Sequence, residues 1–496
     1  MNPYLLYPNR DFNIGQPLVW NSDELMKDLE LQVLLDTMSD GNNVIDTVVP
    51  KVLLQEDIND IPTILYRQNI LKDCLANSAI IKSLFDLSLK AIESKKTSWY
   101  GIFIKHPTSL LHSSVALMEI SMDFLRQFRE IAAQVISQFQ SDGMLRFFRI
   151  FIEQTDDAYF IQVMENLKSL KLYGRIHTSV ELGRANKGTQ YTLRKNTQKK
   201  HTWWNWLFPS KIEGYYFEIN PRDIGGCNAL SSLNDQMVNR TANTLAQAND
   251  HLTDFFTLIR DELAFYLGCI NLHDRLKNLK MPVGFPEPVP THQESFNVTG
   301  LYDPCLALTA GHQLVGNDIS GDKKLLFIIT GVNRGGKSTF LRSVGIAQLM
   351  MQSGIFVAAT KFKSNPAGHI ATHFKKEEDR SMNSGKFDEE LHRMNEIVRH
   401  LKKGDFVLFN ESFAATNEKE GSDVATQIVS ALQLSNIKVF FVTHLYDFAF
   451  SYYQNKTDSI LFLQASREKD TQIGKLTEGF PLPTSFAEDL YNKIFE

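Results

Sequence analysis

The sequence predicts an α/β domain with a mostly parallel sheet, preceded by a mainly α-helical region. After residue 290, apolar runs of strand length alternate with segments long enough for helices, at residues 325–330, 406–409, 438–443 and 460–463. Before that point, apolar residues recur at helical spacing from about residue 23 to residue 170. Four prolines between residues 281 and 290 exclude a helix, and we interpret this stretch as a linker.

A second helical signal lies just before the proline-rich stretch. Apolar residues between 233 and 270 recur at steps of mostly three, four and seven. This spacing predicts one long amphipathic helix or a closely joined pair.

Composition narrows the class of protein. The chain has 496 residues, a net charge of -5 and 22% charged residues, so any affinity for nucleic acid must come from a local patch. The 4 cysteines form no C-x-x-C pair, which argues against a zinc site and a disulfide framework. No apolar run approaches the length of a membrane span, and the N-terminus does not have the pattern of a signal peptide. We therefore expect a cytoplasmic protein without membrane contact.

The most specific pattern is the segment 330–339, Thr-Gly-Val-Asn-Arg-Gly-Gly-Lys-Ser-Thr. It follows an apolar strand and precedes a helix-spaced run, which is the context of a phosphate-cradling loop (P-loop). We expect Lys337 to reach the β- and γ-phosphates of ATP and the Ser338 hydroxyl to ligate Mg²⁺. The alternative is a glycine-rich turn that binds nothing. The expected nucleotide contacts are Gly331, Val332, Asn333, Arg334, Gly335, Gly336, Lys337, Ser338 and Thr339.

Two later strands end in polar side chains that suit phosphate chemistry. Glu411 follows the run 406–409 and is a candidate for orienting or deprotonating the attacking water. Asn410 occupies the position where a carboxylate toward Mg²⁺ is usual, and its amide can accept a hydrogen bond from a metal-bound water. We expect weaker metal binding or slower turnover from this amide. His444 follows the run 438–443 and is a candidate sensor of the γ-phosphate, although a capping Glu411 and a structural His444 are the alternatives.

Two further segments carry weaker signals. Ser384 and Gly385 stand at a predicted helix start, which is an anion site. Between residues 184 and 211 there are basic side chains but no carboxylate, and Trp203, Trp204 and Trp206 lie among them. This mixture suits contact with DNA, but it also suits a basic loop whose tryptophans pack inward. The candidate DNA contacts are Arg184, Lys187, Arg194, Lys195, Lys199 and Lys200.

Together these segments resemble the MutS family, the mismatch-repair ATPases of the ABC superfamily. The loop 330–339, the segment 317–319 ahead of its strand, Ser384–Gly385 and Thr443–His444 are similar to family motifs, and residues 214–219 resemble its Gly-Tyr-Tyr strand. The resemblance implies that Ser384 of one copy approaches the nucleotide of a second copy in a homodimer. It also implies that the helices act as a core and lever on DNA.

Departures from the family limit these expectations. Asn410 stands where the family has an aspartate. Helical sequence begins so early that we expect no mismatch-reading or connector domain. We also expect a shortened clamp and no following nuclease-like domain. We find no Phe-x-Glu wedge near the N-terminus, so mismatch recognition is not implied.

The resulting prediction is a helical core and lever at 1–180, a basic, aromatic and strand-rich insert at 181–225, a long helix and linker at 226–290, and a MutS-type P-loop ATPase domain at 291–496. The predicted function is a dimeric, ATP-dependent DNA-binding ATPase of repair or recombination. The rival is an ATP-binding regulatory scaffold that hydrolyses little and acts on a protein partner.

Overall fold

The computed structural model describes residues 2–56, 60–98, 107–171, 178–184, 188–194, 220, 222–332, 335–376, 385–465 and 474–481. The chain forms two compact units. One unit comprises residues 1–3, 82–140 and 144–260, and the other comprises residues 4–81, 141–143 and 261–496. The four domain ranges drawn from the sequence assign roles as well as limits, and they remain predictions.

The first part of the chain is helical, as predicted for residues 23–170. Polar side chains fix several helix starts: Asn42, Asp60 and Asp156 each accept an amide hydrogen bond from the first turn that follows. The helices are α1 (Ser22–Asp28), α2 (Leu31–Ser39), α3 (Asn43–Leu53), α4 (Ile61–Ala76), α5 (Ser78–Ser98), α6 (Pro107–Val135), α7 (Asp142–Gln154) and α8 (Asp157–Leu170).

The sequence left open whether residues 233–270 form one helix or two. The structure has a single helix, α9 (Ile224–Asn278). In the unit that contains its first part, Phe128 stacks on Phe151 at 5.0 Å between ring centroids and on Phe256 at 5.8 Å. Ahead of α9, strands β1 (Thr178–Leu182) and β2 (Gly188–Leu193) form an antiparallel pair.

The described residues of the α/β part form two sheets. Its elements are β3 (Glu287–Pro288), β4 (Phe296–Leu301), α10 (Pro304–Ala310), β5 (Asn317–Ser320), β6 (Leu326–Gly331), α11 (Lys337–Gln352), β7 (Lys361–Ser364), β8 (Ile370–Phe374), α12 (Lys386–His400), β9 (Phe406–Asn410), α13 (Glu418–Leu434), β10 (Lys438–Val442), α14 (Tyr446–Gln454), β11 (Ile460–Ala465) and β12 (Leu476–Glu478). The six-stranded sheet has the order β12-β11-β6-β10-β9-β8, and the four-stranded sheet has the order β3-β7-β4-β5. In the larger sheet the pairs from β11 to β8 are parallel and β12 is antiparallel.

The four predicted strands are β6, β9, β10 and β11, so the prediction of a largely parallel sheet is confirmed. Strands β6 and β10 are buried along their whole length, as expected for strands covered on both faces. Phe327 and Phe440 stack at 4.2 Å between these two strands. The larger sheet therefore brings the carboxyl ends of β6, β10 and β9 side by side at one edge.

The proline-rich stretch has more order than the predicted linker implies. Gly284 forms a β-bridge with Val357, and Glu287–Pro288 pairs in parallel with β7. Val289 is buried, and its backbone N–H donates to the Ser364 carbonyl at 3.0 Å. The prolines exclude a helix but not these pairings, because an edge segment leaves the proline nitrogen outside the ladder.

Candidate nucleotide site

The glycine-rich loop joins β6 to α11 in a conformation that two of its glycines make possible. Gly331 has φ 118 and Gly336 has φ 83, a region that side chains strongly disfavour. A Cβ on Gly331 would lie 2.8 Å from the Ala465 nitrogen, and one on Gly336 would lie 2.6 Å from the Gly474 Cα. Asn333 and Arg334 lie outside the described residues. The described part of the loop leads directly into the N-terminus of α11, where free amide groups favour an anion.

Lys337, at the start of α11, turns back onto the loop. Its Nζ donates to the carbonyl oxygens of Gly331 and Val332, both at 2.9 Å. Burial lowers the pKa of the Lys337 ammonium, and the charge of Glu411 opposes that shift. An ammonium has three donors, so these two bonds hold the group at the loop while it retains capacity for an incoming anion.

Ser338 is joined to the end of the strand β9. Its hydroxyl donates to the side-chain carbonyl of Asn410 at 2.8 Å. The Ser338 oxygen is a hard, neutral ligand of the kind that Mg²⁺ binds together with phosphate and water, and the Asn410 carbonyl can accept a hydrogen bond from a water in that shell. In the described part of the chain, no group of three or more histidine, cysteine or carboxylate residues is arranged to hold a metal. The pair therefore fits a magnesium ion that receives its negative ligands from a nucleotide.

Glu411 and His444 meet at the ends of neighbouring strands. His444 Nε2 lies 3.0 Å from Glu411 Oε1, and both side chains are partly exposed. The hydrogen bond from His444 is the main cause that lowers the pKa of Glu411, and burial opposes it. The Glu411 backbone has φ 52, and its N–H donates to the Val442 carbonyl at 2.9 Å. Glu411 is therefore an ionised carboxylate in a defined position beside the loop.

A cavity of about 250 Å³ adjoins the loop and was missed by sequence reasoning. Gly336 and Thr339 form part of its wall, and Asn317 lies on the same wall. Asn317 accepts from the Leu476 N–H at 2.7 Å and donates to the Gly474 carbonyl at 3.2 Å, so it fixes the chain that crosses Gly336. The other lining residues that matter here are Tyr302, Leu306, Leu314, Val315 and Phe340. Their spread over separate elements explains why no local pattern identified the cavity.

The helix α12 begins where the sequence predicted an anion-binding helix start. Gly385 is its N-cap residue and is exposed. Nothing in the described chain lies within 4 Å of the position that a Gly385 Cβ would take. Ser384 lies outside the described residues, so its predicted contact with a second copy remains a prediction.

Two candidate DNA contacts, Arg184 and Arg194, belong to the hairpin formed by β1 and β2. Arg184 and Arg194 are exposed, and Arg194 Nε donates to the Ser179 hydroxyl at 2.8 Å. The remaining predicted features lie outside the described residues: Lys187, Lys195, Lys199, Lys200, the tryptophans 203, 204 and 206, and the segment 214–219.

Comparisons with known proteins place these features in a family context. A family model described as the MutS2 N-terminal domain matches residues 59–279, and one described as MutS domain V matches residues 327–478. The chain is 33% identical over 135 residues to "Endonuclease MutS2" of Lacticaseibacillus casei (27% of this chain, 17% of the relative) and 36% identical over 132 residues to "Endonuclease MutS2" of Streptococcus agalactiae (26% and 17%). It is 23% identical over 339 residues to "DNA mismatch repair protein MutS" of Leptospira interrogans (59% and 39%). The matched region thus spans well under two thirds of each relative.

Among the described residues, no helix has the length and apolar character needed to cross a membrane.

Proposed function

From the premise that this chain is a member of the MutS family, we propose that it binds and hydrolyses ATP and couples that cycle to DNA. The observation that carries the proposal is the convergence of three adjacent strand ends. Lys337 follows β6, His444 follows β10 and Glu411 follows β9, and β10 lies between the other two strands. Ligands of parallel α/β sheets bind at the carboxyl ends of the strands, which is where these side chains lie.

The phosphates would lie in the loop between Gly331 and Lys337. Amide groups at the start of α11 would donate hydrogen bonds to the phosphate oxygens. The positive charge of the Lys337 ammonium would offset their negative charge. The Lys337 bonds to the Gly331 and Val332 carbonyls then serve to hold the ammonium until an anion enters. The nucleoside would occupy the adjoining cavity, whose wall combines apolar side chains with Tyr302.

The magnesium ion would be held by the Ser338 hydroxyl, with Asn410 accepting a hydrogen bond from a water of its shell. When bound, the ion neutralises charge that builds on the phosphate oxygens. Asn410 contributes no charge of its own at this position, so it lowers the affinity for the ion relative to a carboxylate. Magnesium would reach the site mainly as the complex with ATP.

Hydrolysis needs a group that accepts a proton from the attacking water. Water attacks the γ-phosphorus, the bond to the β,γ-bridging oxygen breaks, and the proton of the water passes to the Glu411 carboxylate. His444 orients that carboxylate by its 3.0 Å hydrogen bond and keeps it ionised. The γ-phosphate and its contacts with the site are present with ATP and absent with ADP. The two nucleotides would therefore stabilise different states of the site.

The family premise supplies the remaining parts of the proposal. Two copies would enclose the nucleotides, with Ser384 and Gly385 of one copy reaching the nucleotide of the other. The helical region, including α9, would act as a lever whose movement follows ATP binding and hydrolysis. Arg184 and Arg194 would contact DNA phosphates, since both guanidinium groups are on exposed residues of the hairpin.

Hydrolysis measured with duplex, single-stranded and branched DNA tests the function. We expect one of these structures to stimulate turnover and the stimulation to weaken between roughly 50 and 200 mM salt, because phosphate contacts release counterions. Replacing Arg184 and Arg194 with alanine should weaken DNA binding. The slope of log affinity against log salt concentration should fall by about one per lost phosphate contact. Arg149→Ala, which removes an exposed arginine from α7, is the matched control. DNA affinity that changes neither with salt nor on replacement of Arg184 and Arg194 would contradict the DNA assignment.

A second function is favoured by one observation, the amide at Asn410. A chain that binds ATP without efficient hydrolysis would act as a regulatory scaffold for a protein partner. Saturable ATP binding together with undetectable turnover, and no DNA affinity that responds to salt, would favour this alternative.

A further inference from the structure

A buried histidine connects the helix α12 to the segment that carries Glu411. His373, in β8, has no solvent exposure. Its Nε2 lies 3.0 Å from the Glu390 carbonyl oxygen in α12, and its Nδ1 lies 2.8 Å from the Ser412 hydroxyl. Ser412 directly follows Glu411. One imidazole ring therefore bridges two elements of the candidate site that are far apart in sequence.

The protons of this bridge can be assigned from its acceptors. The Glu390 carbonyl only accepts, so His373 Nε2 must carry a hydrogen. Burial lowers the pKa of His373 to about 4, which leaves Nδ1 without a proton at neutral pH. The Ser412 hydroxyl is then the donor, and among the described residues both acceptors within its reach belong to His373: Nδ1 at 2.8 Å and the backbone carbonyl at 2.5 Å. Ser412 is thus held by His373 whichever acceptor takes the proton.

The held segment is strained on both sides of Ser412. Glu411 has φ 52 and Phe413 has φ 62, and neither is glycine. Such conformations persist only where surrounding contacts enforce them, and they concentrate at functional sites. The Phe413 ring stacks on the His373 ring at 5.3 Å with an interplanar angle of 20°, and Phe413 is fully buried. The histidine therefore contacts the residues that follow Glu411 through both a hydrogen bond and a ring stack.

The helix α12 reaches the same segment by a second route. The Glu390 side chain is buried, and this burial raises the pKa of its carboxyl, while a hydrogen bond from the Phe413 backbone opposes the shift. The Glu390 Oε2 atom is buried and makes no hydrogen bond in the described chain. A movement of α12 would therefore disturb a buried carboxyl, the His373 ring and the strained segment together.

We propose that His373 is a positioning residue that transmits the placement of α12 to the carboxylate of Glu411. The proposal rests on the proposed ATPase function. In that function the N-terminus of α12 is the part expected to meet the nucleotide of a second copy. Correct docking of α12 would fix Ser412 through His373, and Ser412 would fix Glu411 for the attack by water. Hydrolysis would thereby depend on the docked state, while ATP binding by the loop would not.

The test separates the rate of hydrolysis from the affinity for ATP. Ser412→Ala removes the hydroxyl that His373 holds, and His373→Gln keeps a donor for the Glu390 carbonyl but loses the ring. In each variant we expect the single-turnover rate to fall at least about tenfold while the ATP dissociation constant stays within about twofold. Ser353→Ala is the matched control, because Ser353 is also buried and its hydroxyl also donates to a carbonyl, that of Leu349 at 2.8 Å.

Hydrogen–deuterium exchange provides a second readout that does not require turnover. ATP should slow exchange in residues 406–417 of the unsubstituted chain, and this protection should be absent in His373→Gln. If the unsubstituted chain fails to bind ATP, the proposed function fails. If it binds ATP and the two variants keep both its rate and its protection, His373 has no positioning role. Equal losses of affinity and rate in both variants would also overturn the proposal, since they would indicate a role in folding of the site.

Discussion

The Ser338 hydroxyl donates a 2.8 Å hydrogen bond to the side-chain carbonyl of Asn410. This bond joins the first turn of α11, the helix that follows the glycine-rich loop, to the end of β9, which is separated from β6 by β10. Ser338 and Asn410 are the two residues that we propose for a magnesium site, and Asn410 lacks the charge that a carboxylate would bring there. Substitution of residue 410 therefore tests directly how strongly this chain binds magnesium.

Asn410→Asp should strengthen magnesium binding. An aspartate can still accept from Ser338, and its charge offsets that of the ion, so the magnesium concentration for half-maximal hydrolysis should fall roughly tenfold. The measurement is a magnesium titration of hydrolysis at fixed ATP. Asn417→Asp adds the same charge at the exposed N-cap of α13, where aspartate also caps well, and it should have little effect. Equal magnesium dependence in the unsubstituted chain and Asn410→Asp would remove Asn410 from the metal site.

The pH dependence of hydrolysis should reveal the pair formed by Glu411 and His444. The His444 hydrogen bond holds the pKa of Glu411 below its ordinary value of 4.5, so the carboxylate stays ionised at pH values where an unpaired glutamate begins to protonate. His444→Asn should raise the pKa of Glu411, and the acid limb of the rate profile should move to higher pH.

The same pair contributes to stability in a defined direction. A lowered pKa in the folded state stabilises the protein at pH values above the unfolded pKa, and this contribution is lost as pH falls through the folded pKa. Glu411→Gln should abolish hydrolysis and remove this part of the acid sensitivity.

A rate profile of His444→Asn with an unchanged acid limb would show that His444 does not control the ionisation of Glu411.

Ionisation of Glu262 should lower the free energy of unfolding as pH rises. It is fully buried in α9, where its two carboxyl oxygens accept from the Leu5 and Phe12 backbone N–H groups at 2.7 and 3.3 Å. Burial raises the pKa of Glu262 from 4.5 to about 8, so the folded state binds more protons than the unfolded state between these values. Stability contributed by the protonated group is therefore full below pH 4.5 and is lost as pH rises toward 8.

Glu262→Gln removes this titration. Relative to the unsubstituted chain, the variant should gain stability between pH 5 and pH 8 by an amount on the order of a few kcal/mol. Thermal unfolding at several pH values measures the effect. Glu478→Gln, which changes an exposed carboxylate of β12, should leave the pH slope unchanged. A pH slope for Glu262→Gln equal to that of the unsubstituted chain would contradict the assignment.

The strands of the nucleotide site could be predicted because they are buried on both faces. Residues 326–331 and 438–442 are nearly continuous apolar runs, which is the pattern of a covered parallel sheet. Strand β8 was missed because Thr372 and His373 interrupt its apolar run, although both residues are buried. Strand β3 was also missed, since Glu287–Pro288 is too brief to have a period.

The candidate site shows a similar division between local and distant information. Lys337, Ser338, Asn410, Glu411 and His444 were found because each follows a strand or a loop with a recognisable pattern. The direct hydrogen bonds between them were not predictable, because Ser338 and Asn410 lie 72 residues apart and Glu411 and His444 lie 33 residues apart. Only the strand order, with β10 between β6 and β9, brings these ends together.

Equilibrium binding of ATP to the unsubstituted chain and to Lys337→Ala tests the central claim most directly. Lys324→Ala is the control, because Lys324 is a lysine near the opposite end of the same strand, β6, and its ammonium also donates to a backbone carbonyl, that of Asp458 at 2.7 Å. We predict saturable binding by the unsubstituted chain and by Lys324→Ala, and affinity weaker by at least about a hundredfold in Lys337→Ala. ATP binding by Lys337→Ala with undiminished affinity, or no binding by the unsubstituted chain, would contradict the account.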